Sequence, residues 1–180
     1  MQSIFRQALV VCIWSLLLTS SAFGQVLAEE FRLTDALVCK SVKGLRDYER
    51  LDPPELTTYD KLIVYTEPSG YATRLVDRQR KAAFIQNAVL RAKGLKKPIF
   101  ERKELYRFEP EVKADGDLFY LSASIGFKNL PPGEYTLELE TVDLASSPEQ
   151  KVAQTIQFRI IPATNDQEHG AGKQALKRKK

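Results

Sequence analysis

Few side chains here could carry bond-making chemistry, and their positions argue against it. The 180 residues hold one histidine and two cysteines. Acyl transfer through a Ser or Cys nucleophile needs a base in fixed geometry. His169 stands in "NDQEHGAGKQALKRKK" (165–180), which lacks apolar periodicity and is expected to be disordered, leaving the imidazole solvated. The count also excludes zinc sites built on His and Cys. Calcium asks only for oxygen ligands, and Asp115 and Asp117 flank Gly116. The ligand spacing of a helix–loop–helix calcium site is missing, and a polar hairpin turn explains the pair. A glycosidase needs two carboxylates facing a cleft. Glu101 with Glu104, or Glu109 with Glu111, would serve a small carboxylate-based hydrolase, but nothing singles them out. Gly-rich phosphate loops are missing, since "AKG" and "PPG" are turns. The expectation is a non-enzyme with no cofactor.

Residues suited to binding are more plentiful. Arg74, Arg78, Arg80 and Lys81 are dense, and Arg91, Lys93, Lys96 and Lys97 flank a turn. They could meet a polyanion, or simply keep an edge strand soluble and unpaired. Lys173, Lys177, Arg178, Lys179 and Lys180 form a basic end better suited to weak contact with an anionic surface. The formal net charge is +4, but residues 1–24 contribute one base and 163–180 five bases against two acids. Residues 25–162 are therefore neutral, which is not the footprint of a nucleic-acid-binding domain. Sugar-binding sites present flat exposed aromatics. Tyr48, Tyr59, Tyr65, Tyr71, Tyr106 and Tyr120 are available, whereas the only Trp is Trp14.

The elements that position these residues begin after a targeting segment. "MQSIFRQALVVCIWSLLLTSSAFGQ" has the basic, apolar and small-residue regions of a secretory signal peptide, with Ala22 and Gly24 preceding a cut before Gln25. A second possible cut follows Ala28. The apolar run Ala8–Leu18 spans about 16 Å as helix, roughly half the hydrocarbon core, so cleavage is favoured over an uncleaved anchor. Cys12 is a poor lipoprotein cysteine, since Val11 precedes it and it lies inside the apolar run. Cleavage leaves Cys39 alone, with no intrachain disulfide partner. Between Val38 and Lys40 in "DALVCKSV" it reads as a small buried core residue, with pairing between chains as the alternative.

Period-two alternation marks half-buried strands at 31–42 (one strand or two short ones), 61–68, 117–127, 134–142 and 151–161. Phe119, Leu121, Ala123, Ile125 and Phe127 share a face, as do Tyr135, Leu137 and Leu139, and Val152, Ile156, Phe158 and Ile160. Glu134, Glu138 and Glu140 then form a solvent face. "LDPPELTTYD" (51–60) reads as a Pro-rich connection, and "LASSPEQ" (144–150) as the turn of a final hairpin. Residues 73–101 are open to two readings: a helix over 74–92 ended by Gly94, or a strand–turn–strand hairpin, which the poor helical spacing favours. "VKADGD" (112–117) is a further turn.

In "NLPPGEYTLELETVD" (129–143), Pro131-Pro132-Gly133 feeds Tyr135 at the start of an alternating strand. This resembles the tyrosine corner of immunoglobulin-like and fibronectin type III-like sandwiches, and 117–161 resembles the closing strands of such modules in secreted bacterial proteins. The resemblance implies a Tyr135 hydroxyl bonded to upstream backbone, with Pro132 and Gly133 shaping the turn. Leu137 stands where a disulfide-bonded antibody-type domain would have Cys. The resemblance marks architecture, not activity.

The expected protein is all-β: an antiparallel two-sheet Ig-like sandwich over 25–162, after a cleaved signal peptide (1–24) and before a disordered basic tail (163–180). It is expected to be secreted or periplasmic. There it would act as a binding or structural module on an unidentified protein or cell-envelope polymer, with no transmembrane helix once the signal is cleaved. A carbohydrate-binding module is the first alternative and the small hydrolase the second.

Overall fold

A computed structural model describes residues 30–114, 116–127 and 130–163. The signal segment, Asp115, and the C-terminal residues Lys173, Lys177, Arg178, Lys179 and Lys180 with His169 lie outside this set. The described chain is all-β. Strands β1 (Arg32–Leu33), β2 (Leu37–Gly44), β3 (Asp47–Arg50), β4 (Glu55–Thr57), β5 (Lys61–Thr66) and β6 (Pro68–Ser69) come first. Then follow β7 (Arg74–Val76), β8 (Gln79–Lys81), β9 (Phe84–Ala92), β10 (Phe100–Phe108), β11 (Leu121–Gly126), β12 (Gly133–Asp143) and β13 (Gln150–Ile161). One sheet has five strands in the order β10-β9-β12-β13-β4, and another has four in the order β11-β5-β2-β3. β1 pairs with β6, and β7 with β8, in two small ribbons.

Alternation decides the long strands. In β12, Tyr135, Leu137, Leu139, Thr141 and Asp143 are buried, while the intervening Glu134, Thr136, Glu138 and Glu140 keep solvent contact. β13 turns Ile156, Phe158 and Ile160 the same way. These residues share one apolar cluster with Leu62 and Val64 of β5 and Ala123 and Ile125 of β11, so the five- and four-stranded sheets bury their apolar faces in common. A Leu or Phe moved from water to such a site contributes roughly 1.5–3 kcal/mol. A second cluster, Phe31, Ala82, Phe84, Val112 and Leu121, fills the end where the chain enters.

The ambiguous stretch 73–101 is a hairpin, with β9 and β10 joined by 93–99. The basic run ahead of it forms its own small ribbon, whose turn residues Asp77 and Arg78 both have positive φ. Two expectations shift. The strand foreseen at 117–127 begins only at Leu121, because Asp117 folds back to accept the backbone N–H groups of Lys113 and Ala114. The Pro-rich connection contains β4, which joins β13 in parallel, so the pairing is not wholly antiparallel. Prolines lack a backbone donor and suit the approach to an edge strand. Here the Pro54 carbonyl accepts Arg159 N–H at 3.0 Å and leads the chain into that pairing.

Tyr106 links the two larger sheets at one side. From β10 its hydroxyl donates to the Ser124 carbonyl and accepts the Ser124 N–H at 3.1 Å, occupying backbone groups on the free edge of β11. An edge with such groups open is a template for unwanted pairing.

Candidate functional site

The residues singled out around the Pro-Pro-Gly turn meet at one end of the five-stranded sheet. Register places Gly133 opposite Ile160, Tyr135 opposite Ala92 and Arg159 opposite Glu55. The 93–99 turn, the Pro131–Gly133 turn and the Pro53-Pro54 segment therefore share this end. Tyr135 is 4% exposed, stacks on Phe158 and donates its hydroxyl to the Pro131 carbonyl at 2.6 Å. Burial pushes its pKa up. Pro132 is exposed. A Cβ built on Gly133 would meet the Tyr135 ring at 3.8 Å, ordinary contact, so neither space nor backbone angle requires glycine there.

Beside the turn lies a shallow cavity of about 320 Å³, bordered by Pro53, Pro54, Lys93, Glu134, Phe158 and Arg159. A chain of ion pairs crosses it. Glu134 contacts Lys93 and, at 3.3 Å, Arg159, which reaches Glu55 at 3.3 Å. Lys93, and after it Arg159, hold the Glu134 carboxyl below the usual carboxylate range. Glu134, Lys93 and Arg159 are exposed and Glu55 is half-buried, and pairs of this kind contribute little to stability. Chemically the cavity presents charges already matched to one another.

The tyrosines collect elsewhere. Tyr65 is 1% exposed, with its ring between Tyr48 (centroids 4.6 Å) and Tyr120 (5.3 Å). Its hydroxyl accepts Arg46 N–H at 2.9 Å and donates to Glu67 at 2.8 Å, while the Arg46 guanidinium also binds Glu67. Arg46, and secondarily the Tyr65 hydroxyl, hold the Glu67 carboxyl below its ordinary range. The Tyr65 faces are covered by its neighbours rather than offered to a sugar ring. Tyr71 and Tyr106 donate to backbone carbonyls, and Tyr59 is the open one, at 62% exposure.

The hydrolase candidates do not meet in the pairs that sequence spacing offered. Arg107 pairs with both Glu104 and Glu109, and Arg74 also reaches Glu109. Glu111 is exposed at an isolated bridge with Lys81. Glu101 instead borders a depression of about 160 Å³ with Glu138 and Glu140, a grouping that sequence spacing alone did not reveal. There Glu138 is paired with Arg91 at 3.0 Å, and Glu140 accepts Asn87 at 2.8 Å. Among the described residues no group of three His, Cys, Asp or Glu is arranged to hold a metal ion. Cys39 is 1% exposed, and burial raises its pKa. No protein-family model matches the chain, and no curated protein is similar enough to count as a relative.

Proposed function

We propose that this chain is an exported Ig-like β-sandwich that works by contact, as a binding or structural module outside the cytoplasm. The observation that carries the reading is the Tyr135 hydroxyl on Pro131, 2.6 Å away, at the start of the penultimate strand, which is the bond a tyrosine corner makes. Support comes from the apolar cluster common to the five- and four-stranded sheets. The side chains with chemical potential are also engaged in the scaffold. Glu134, Glu138, Glu67 and Glu109 sit in ion pairs, and Tyr65, Tyr106 and Tyr135 are tied through their hydroxyls. Export rests on the n-region, apolar run and Ala22/Gly24 site of residues 1–24.

The test is to express the full chain in its native cell, fractionate, cross-link and identify what it touches. The reading expects a secreted or envelope-bound protein starting at Gln25 or Glu29, cross-linked to a protein or an envelope polymer. Recovery in the cytosol with Met1 still attached would overturn export. A second reading, a carboxylate hydrolase, draws on the depression shared by Glu101, Glu138 and Glu140. Glycoside turnover by the purified protein, abolished by Glu101→Gln or Glu138→Gln, would replace the contact reading with this one.

A further inference from the structure

The seven residues between β9 and β10, "KGLKKPI" (93–99), hold three lysines and no acid. The turn is fixed rather than loose. Gly94 takes a φ of +80°, Leu95 N–H bonds Ala92 O at 3.0 Å, and Ile99 N–H bonds Leu90 O at 2.8 Å. That backbone nevertheless holds Leu95 at 59% and Ile99 at 48% exposure, leaving about half of each large apolar residue in water. Lys93 is matched by Glu134. Lys96 and Lys97 are exposed and have no ion pair among the described residues.

Gly133 opposite Ile160 and Tyr135 opposite Ala92 bring the end of β13 to the same end of the sheet as this turn. The chain therefore leaves the described fold at the same end of the sheet as Lys96 and Lys97 and continues into 164–180, which carries five bases and two acids. The other strongly basic feature, the β7–β8 ribbon with Leu75 at 72% exposure, precedes the opposite end of β9, and its Arg74 is paired with Glu109. Lys96 and Lys97 thus stand beside two exposed aliphatic side chains in a turn whose backbone is fixed.

We propose that the 93–99 turn docks on an anionic phospholipid surface, with Leu95 and Ile99 entering the headgroup–acyl boundary and Lys96 and Lys97 against lipid phosphates. Basic residues set beside exposed aliphatic ones are the two chemistries by which an amphipathic helix lies in a membrane interface, and this turn presents both. Acidic headgroups attract each basic residue at the surface by about fivefold in partitioning. A soluble anionic polymer would satisfy the lysines but offers no apolar phase for Leu95 and Ile99, so the bilayer is the occupant these residues fit. The inference concerns a partner surface and does not require the tyrosine-corner reading.

The test is co-sedimentation with vesicles of phosphatidylcholine alone or mixed equally with phosphatidylglycerol, at low salt. It uses the chain begun at Gln25, which keeps every described contact and removes the apolar run of the signal segment. Wild type should bind the mixed vesicles and not the neutral ones. Leu95→Ser with Ile99→Ser should lower partitioning about tenfold or more, and Lys96→Glu with Lys97→Glu at least tenfold. Leu75→Ser should bind as wild type. Thermal melts of each variant confirm folding, which these exposed positions should not disturb. Removing 171–180 should weaken binding without abolishing its dependence on Leu95 and Ile99. Wild type that ignores the mixed vesicles, or a serine pair that binds as well as wild type, overturns the proposal. The second result would mean attraction by charge alone, a property a polyanion would serve equally.

Discussion

Replacing Tyr65 by Phe removes one oxygen and keeps the ring between Tyr48 and Tyr120. Two bonds are lost: the one donated to Glu67 at 2.8 Å and the one accepted from Arg46 N–H at 2.9 Å. A hydrogen bond to a charged group contributes about 1.5–3 kcal/mol and a neutral one about 1. The Glu67 side chain is 15% exposed and keeps its Arg46 guanidinium contacts, so part of the first loss is recovered. The expected cost is about 2 kcal/mol, or roughly 6 °C in Tm for a domain of this size. The variant should also lose part of its pH dependence. Glu67 has a depressed folded pKa, so its contribution is present above the unfolded value of about 4.3 and is lost as pH falls through the folded value. The wild-type advantage over Tyr65→Phe should therefore narrow below about pH 4. Urea melts at pH 7 and pH 3, with Tyr59→Phe as an exposed control within about 0.5 kcal/mol of wild type, measure both effects. A Tyr65→Phe loss no larger than the control's would refute the role assigned to the hydroxyl.

Tyr135→Phe should cost about 1 kcal/mol in urea melts, since Pro131 is exposed and water can replace part of the lost bond. Gly133→Ala should be nearly neutral, whereas Gly94→Ala, at φ +80°, should cost about 1 kcal/mol; thermal melts separate them. Asp143 is fully buried and accepts Ala72 N–H at 2.7 Å and Ala145 N–H at 2.9 Å. Asp143→Ala should therefore cost about 2–4 kcal/mol, and Asp143→Asn, which keeps one acceptor oxygen, less. Cys39 should resist thiol reagents in the native protein and react only on unfolding, because the sulfur is buried and its pKa raised; labelling followed by mass spectrometry at increasing urea checks it.

Much of the strand content was legible because period-two alternation is a local property. Tyr135, Leu137 and Leu139 against Glu134, Glu138 and Glu140 need only the pleat of their own strand to be assigned faces. The same holds for Ile156, Phe158 and Ile160, and the turn residues of 144–150 sufficed to join these two strands into a hairpin. Cys39, preceded by Leu37 and Val38, was legible as buried from its own apolar character and theirs. Which strands become neighbours is not local. The parallel pairing of β4 with β13 joins residues about a hundred positions apart, and three residues preceded by two prolines carry too little pattern to announce it. The candidate site was legible only in parts. Tyr135, Lys96 and Lys97 stand out in the chain. That Glu101 shares a depression with Glu138 and Glu140, that Tyr65 binds both Arg46 and Glu67, and that Tyr106 occupies the edge of β11 depend on how sheets pack and where registers fall. Side-chain alternation determines which face of a strand meets the core; only the packing of one sheet on another decides which side chains then meet across it.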